Sequence, residues 1–216
     1  MQLETKSTAP QQNMISRPSP KQGLLFVLSA PSGAGKDTVI HALKDQGMDF
    51  YVVASVTTRA PRPGESEGNP YYFVSEDTFQ HMVAHNELLE HAKVHGNWYG
   101  QPLQQIRNNL QAGRDVLLKI DVQGAATVRQ KIPGAIFIFL VPGSVEELVE
   151  RLTTRHTETE DEKALRLINA QKELAQQEHY EYVIVNRQGR LAEAVEQLKA
   201  IIVAEHCRTK PRYITI

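Results

Sequence analysis

The chain has 216 residues, 41% of them hydrophobic and 23% charged, which suits one large soluble domain or a core with inserts. Its 24 basic and 25 acidic side chains nearly cancel, so bulk charge predicts neither a nucleic-acid nor a membrane partner, and any phosphate binding has to be local. The single cysteine, Cys207, excludes an internal disulfide or a cysteine-cluster metal site and suits a reducing compartment, while no apolar run approaches the ~18 residues of a membrane span.

Residues 1–21 are polar and rich in Pro, Gln and Ser, without an apolar or Arg-rich amphipathic stretch, and read as a disordered tail rather than a targeting peptide. The apolar run Leu24–Leu28 predicts a buried strand leading into Ala30-Pro31-Ser32-Gly33-Ala34-Gly35-Lys36-Asp37-Thr38. Gly33 and Gly35 let the backbone curl so that successive N–H groups face one point, where the next helix also aims its positive end. Lys36 adds a mobile charge for terminal phosphates, as in the phosphate-loop pattern GxxxxGK[ST]. Two positions depart from that pattern: Ala30 stands at the first glycine, and Asp37 replaces the Mg²⁺-binding hydroxyl, which Thr38 offers one place later. A Gly-rich turn that binds nothing is the alternative.

A helix is predicted over Lys36–Gln46, ended by Gly47, and a second buried strand over Tyr51–Val56. From Thr57 to Gly100, Pro61, Pro63, Gly64, Gly68 and Pro70 interrupt the chain and aromatics cluster late, which fits an inserted subdomain of short strands. Ser75 is placed to cap a helix over Glu76–His85. In that helix His81 and His85 sit at i, i+4 without an HExxH motif, and read as a solvated face rather than a metal site. Further helices are predicted over Leu103–Gln111, Val122–Lys131, Val145 to about Thr153, and Leu191–Glu205, with capping boxes at Ser144/Glu147 and Thr159/Glu162. Asp115–Asp121, Ala135–Val141 and Tyr182–Asn186 read as strands, and their apolar runs suit a parallel sheet covered by helices on both faces.

Arg59 and Arg62 lie three apart in a Pro-rich loop near Tyr71, an arrangement that suits either a second phosphate clamp or a solvated basic turn. The segment Ser55–Phe73 resembles the GMP-binding signature of the guanylate kinase family through Thr57, Thr58, Arg59, Arg62, Glu65, Gly68, Tyr71 and Phe73, and the likeness extends from about Gly23 to the last helix. It implies an α/β fold: a P-loop NTPase core of parallel strands flanked by helices (22–54, 105–144, 176–207), a GMP-binding insert (55–104) and a helical lid (145–175). The domain then spans 22–207, and 208–216 is a C-terminal tail.

The activity implied is Mg²⁺-dependent transfer of the γ-phosphoryl of ATP to GMP, in a cytoplasmic enzyme of purine metabolism and GMP recycling that is a monomer or small homo-oligomer. By the same likeness ATP binds at Ala30–Thr38 and Asn186, and Mg²⁺ at Thr38, Asp37 and Asp121, partly through water. Arg59, Arg62, Tyr71 and Tyr99, with Glu65, belong to the GMP site. Ser55, Glu90, Gln101 and Asp121 face guanine there, whose N1–H and N2–H groups a carboxylate accepts where adenine offers no match. Lys36, Arg59, Arg151, Arg155 and Arg166 then neutralise the transferring group.

Four positions depart from the family pattern: Asp37, Gln101 in place of a Ser or Thr, Lys119 in place of an acid, and His156 in place of a lid glycine. The opposite charges of Asp37 and Lys119 suggest a compensating pair, against the alternative of two independent changes. Two other functions compete with the kinase reading: an interaction domain whose nucleotide site has decayed, and a phosphate-loop kinase acting on a sugar phosphate. The retained Lys36, Arg59, Arg62, Tyr71 and Glu90 count against the first, and the GMP signature with Glu90 against the second.

Overall fold

A computed structural model describes residues 22–94, 96–153 and 160–216, except for the side chains of residues 152, 153 and 160–166. Strand β1 (Leu25–Ser29) is buried along its whole length. Its side chains alternate between two clusters: Phe26 and Leu28 pack with Val39 and Leu43, while Leu25 and Val27 pack with Ile106, Val128 and Ile132. A strand apolar on both faces is stable only inside a covered sheet.

The chain continues through α1 (Lys36–Asp45), β2 (Tyr51–Val52), β3 (Ser55–Thr57), β4 (Ser66–Glu67), β5 (Pro70–Phe73), α2 (Glu76–Ala84), β6 (Leu88–Val94), β7 (Asn97–Pro102) and α3 (Leu103–Gln111). It is completed by β8 (Val116–Lys119), α4 (Val122–Lys131), β9 (Ile136–Pro142), α5 (Val145–Thr153), α6 (Glu160–Leu174), β10 (Tyr182–Asn186) and α7 (Leu191–His206). The first sheet runs β10-β9-β1-β8-β2 with every pair parallel. The chain goes from β1 to the edge strand β2, returns to insert β8 between them, and then adds β9 and β10 on the other side, so the carboxyl ends of β1 and β8 meet at the switch point where open α/β sheets hold ligands.

The single strand predicted over Tyr51–Val56 is two strands. Tyr51 and Val52 pair with Val116 and Leu117 in the first sheet, whereas Ser55–Thr57 pairs with β5 and β7 in a second sheet of order β4-β5-β3-β7-β6. Val53 and Ala54 carry the chain across. No glycine or proline marks the break, because a β-branched run suits either sheet.

Helix α2 covers the second sheet through fully buried Phe79, whose ring stacks on Trp98 at 5.8 Å, and Ser75 Oγ caps it by accepting from Thr78 N at 3.1 Å. Leu89 of β6 belongs to a core cluster of the first sheet, and the Leu89 carbonyl accepts from Lys131 Nζ at 2.6 Å, so the two sheets are joined. Among the described residues no helix is long and apolar enough to cross a membrane.

The segment 208–216 carries no helix or strand but closes the bottom of the core. Ile214 is buried, and its carbonyl accepts from Gln22 Nε2 at 2.7 Å. A Cβ at Gly134 would lie 2.2 Å from the Tyr213 carbonyl oxygen, so only glycine lets the segment approach. Arg212 Nε donates to buried Glu205 at 2.8 Å, and Tyr182 Oη donates to the same carboxylate. Arg212→Ala removes the guanidinium hydrogen-bonded to that carboxylate and leaves only Arg208, at 3.6 Å, as a cation beside it among the described residues. The expected cost is about 3 kcal/mol, read as a lower denaturation midpoint in urea with kcat/KM unchanged.

Candidate active site

The loop after β1 is shaped by two left-handed residues, Gly33 (φ 86°) and Gly35 (φ 90°). At Gly35 a side chain is excluded twice over, by its φ and by Asn186 Nδ2, which lies 2.5 Å from where a Cβ would stand. Helix α1 starts at Lys36 with no side-chain cap, so its first-turn N–H groups are available to an anion. Lys36 Nζ is folded over the loop, donating to the carbonyls of Ala30 (3.3 Å) and Ile120 (3.2 Å). Burial pushes its pKa down, against the pull of Asp121 and Glu173. Glu173 of α6 places Oε2 within 3.2 Å of Ser32 N, so a carboxylate from outside the predicted set already reaches a loop N–H.

Arg151 and Asn186 brace the same loop. Asn186 Nδ2 and Arg151 Nη1 both donate to the Ala34 carbonyl, at 2.8 and 3.3 Å, and Arg151 Nη2 donates to the Asn186 carbonyl at 2.9 Å. The capping box expected at α5 is half formed. Ser144 Oγ accepts from Glu147 N at 3.2 Å, but Glu147 turns its carboxylate to Gly143 N, Gln188 N and Arg151. Arg155, His156, Thr159 and the side chains of Glu162 and Arg166 lie outside the described residues, so the lid expectations that rest on them have no structural counterpart here.

Across the cleft, Glu90 of β6 is 3% exposed. Burial is the main cause that raises its pKa to about 8, with Asp121 adding and Lys131 opposing. Asp121 caps α4 by accepting from Gly124 N at 2.9 Å. A Cβ at Gly124 would stand 2.6 Å from Glu90 Oε2, so glycine there leaves room for the carboxylate. Gln101 Nε2 donates to Ser55 Oγ at 2.7 Å, and the buried Gln101 Oε1 has no hydrogen-bond partner among the described residues.

The arginine loop is organised by Glu65. Its two oxygens each accept from Arg59 Nη2 at 2.9 Å, and Oε2 also accepts from Arg62 N at 2.7 Å. Arg59 lies 5.3 Å over the Tyr71 ring, and Tyr71 meets Tyr99 edge to face at 5.8 Å. Lys119 Nζ donates to Asp37 Oδ1 at 2.6 Å and also lies 5.3 Å over Tyr71, so the two departures form an ion pair that joins the phosphate loop to Tyr71. Burial works against the Lys119 charge, but Tyr71 and Asp37 together raise its pKa.

Most of these groups line one cleft of about 650 Å³, a size usual for small-molecule sites. Of the predicted site residues, the loop from Ala30 to Thr38 except buried Ala34 lines it, as do Ser55, Arg62, Tyr71, Glu90, Tyr99, Gln101, Asp121, Arg151 and Asn186. Arg59 and Glu65 instead line a neighbouring hollow of about 440 Å³, which shares Arg62, Tyr71, Tyr99, Asp37 and Lys119 with the main cleft. Sequence reasoning missed Glu173 and the turn at Arg187–Gly189, which also face the cleft. The position of that turn, directly after a strand at the carboxyl edge of the sheet, is the signal that could have found it.

The raised pKa of Glu90 makes a stability prediction. The folded chain holds this proton more tightly than the unfolded chain, whose carboxyl titrates near 4.5. Its stabilising contribution is therefore complete below that pH and lost as pH rises through about 8. Glu90→Gln keeps the shape without the titration. Thermal midpoints of the two proteins are expected to diverge between pH 5 and 9 in favour of the variant, and parallel curves would contradict this.

Comparison with known proteins agrees with this geometry. The family model described as guanylate kinase matches residues 22–205. The chain is 48% identical to a guanylate kinase of Lactobacillus johnsonii over 89% of its own length and 94% of the relative's. It is 46% identical to one of Caldanaerobacter subterraneus subsp. tengcongensis, over 87% and 90% of the two chains. The crystal structure of guanylate kinase from Anaplasma phagocytophilum superposes with a TM-score of 0.73 at 35% identity, covering 88% of this chain and 89% of that one. A family match over residues 22–205, with a P-loop and a buried carboxylate facing one cleft, means that the chain belongs to the guanylate kinase family.

Proposed function

We propose that this guanylate kinase family member, whose activity is ATP:GMP phosphotransfer, holds ATP on the loop Ala30–Thr38 and GMP against β3, β6 and β7 of the second sheet. The observation that carries the reading is that the loop, Asp121 and Glu90 line a single cleft. A donor phosphate chain and a guanine reader then face the same space. The loop N–H groups and Lys36 would take the β- and γ-phosphates, and Lys36 would exchange its bonds to the Ala30 and Ile120 carbonyls for phosphate oxygens. Glu173 would leave Ser32 N as phosphate arrives, since two anions do not share one donor. Arg151, braced on the Ala34 carbonyl, would face the γ-phosphoryl, and Arg155 and Arg166 are proposed to join it.

Arg62, Tyr71 and Tyr99 would bind the GMP phosphate, with Arg59 behind them held by Glu65. Ionised Glu90 would accept from guanine N1–H and N2–H, while Ser55 and the Gln101 amide address the remaining edge. GMP binding at Glu90 then expels a proton, so GMP affinity rises with pH toward about 8. Thr38, Asp37 and Asp121 offer the oxygen donors that Mg²⁺ prefers, although Asp37 Oδ1 is already engaged by Lys119. When bound, the ion neutralises charge on the phosphate chain. No general base is needed, because the attacking GMP phosphate is already an anion; the side chains supply alignment and positive charge. A monomer or small homo-oligomer in the cytoplasm, recycling GMP, is the setting this reading implies.

The test is ADP release with ATP and Mg²⁺ against GMP, AMP, UMP and ribose phosphate. Turnover with GMP alone is expected; turnover with the sugar phosphate would reassign the acceptor, and silence with all four would remove the enzymatic reading. Within the active enzyme, Lys119→Met is expected to lower kcat about 30-fold, the loss of one preorganised charge at the transfer point. In a double-mutant cycle of Asp37→Ser and Lys119→Glu, the effects on kcat/KM should depart from additivity by at least about 1 kcal/mol, and strict additivity would separate the two residues.

A further inference from the structure

We propose that His81, His85 and Glu87 form a binding site for a divalent transition-metal ion of the Zn²⁺ class, on the outer surface of the second sheet's helix and apart from the nucleotide cleft. One ligand atom from each of the three exposed side chains lies within 4.8 Å of the others. None of the three lines the cleft or the neighbouring hollow.

The sequence offered only the two histidines one turn apart; the end of α2 brings the third ligand. Asn86 adopts a left-handed conformation, φ 55°. Asn86 N then bonds the Val83 carbonyl at 3.1 Å and Glu87 N the Met82 carbonyl at 3.0 Å, the paired closure of a Schellman turn. That turn folds the chain back over the last turn of the helix, and Leu103 N holds it there by donating to the Glu87 carbonyl at 2.8 Å. Glu87 therefore arrives beside two imidazoles already stacked at 3.9 Å.

The contact of the His85 ring suits a metal ligand. His85 Nδ1 lies 2.8 Å from the His81 carbonyl. With the proton on Nδ1 it donates there, which leaves the Nε2 lone pair outward, the same orienting bond that metal-binding histidines make to a backbone carbonyl. Tetrahedral Zn²⁺ with bonds near 2.1 Å needs ligand atoms about 3.4 Å apart. Exposed side chains can close that difference by torsion, without desolvation of a buried group. Two imidazoles and one carboxylate form a borderline donor set that favours Zn²⁺, Ni²⁺ or Cu²⁺ over Mg²⁺, whose preference is oxygen alone. Remaining coordination positions face water. An ion held there would tie the end of α2 to the start of β6, three residues before Glu90, and should raise the thermal midpoint.

The experiment is calorimetric titration of ZnCl₂ into the chelator-treated full chain. One equivalent is expected to bind at this site, weakened at least about tenfold by His81→Asn and again by His85→Asn, with Glu87→Gln also weaker. Turnover in Mg²⁺ buffer should be the same in all three variants. In parallel, the imidazole ¹⁵N signals of the unsubstituted chain should shift at His81 and His85 with the first equivalent, a readout that needs no variant to fold. Absence of a bound equivalent, unmoved imidazole signals, or an equivalent that survives loss of both histidines would overturn the proposal.

Discussion

Burial of both faces of β1 is the constraint on which the site depends. A phosphate loop binds through backbone N–H groups, whose directions cannot be corrected by a rotamer, so the strand feeding the loop has to be fixed on every side. Phe26 and Leu28 lock one face, Leu25 and Val27 the other, and β8 and β9 hold both edges in parallel register. With the strand immobile, Gly33 and Gly35 can hold left-handed conformations in the same place. The braces from Asn186 and Arg151 to the Ala34 carbonyl then finish the curl from the far side.

Among the described residues, joins between the second sheet and this frame lie beside Ser55 and Glu90. Val53 and Ala54 pass the chain from one sheet to the other just before Ser55. Leu89 anchors in the first sheet's core just before Glu90, and Gly124 of α4 lies directly against the Glu90 carboxylate. The Glu90 carboxylate, carried by the second sheet, is thus positioned by contacts with the core of the first. The arginine loop is held in part from within, by Glu65 on Arg59 and the Arg62 N–H, and in part by the Tyr71 ring beneath Arg59.

The parts legible in the sequence are those governed by local rules. β1, α1, α2, α3 and α4 fall within a residue or two of their predicted ranges because alternation, caps and glycine stops are written in adjacent residues. Sequence alone could not divide Tyr51–Val56, because the division depends on where partner strands end. It also could not see Glu173 at Ser32, 141 residues away, or Glu87 beside His81, since a left-handed asparagine reverses the chain between them. Motif matching found most of the residues that line the cleft. It passed over Glu173, which touches the loop from another element, and did not show that Glu65 holds Arg59 and the Arg62 N–H.

Asp37 and Lys119 show how a departure at both ends can leave a site working. The family pattern pairs a neutral hydroxyl with an acid at these positions; this chain pairs an acid with a lysine, so the local sum rises by one positive charge. Either change alone would be costly: Asp37 by itself sets a carboxylate beside an incoming phosphate, and Lys119 by itself sets a largely buried ammonium, its side chain 11% exposed, without a counter-ion. Together they form a 2.6 Å pair that also contacts Tyr71, and the ammonium stands between the phosphate loop and the clamp. Positive charge near a transferring phosphoryl group is favourable in general. The pair therefore sets an ammonium and its counter-ion side by side at the edge of the phosphate loop, where the family pattern has a hydroxyl and an acid.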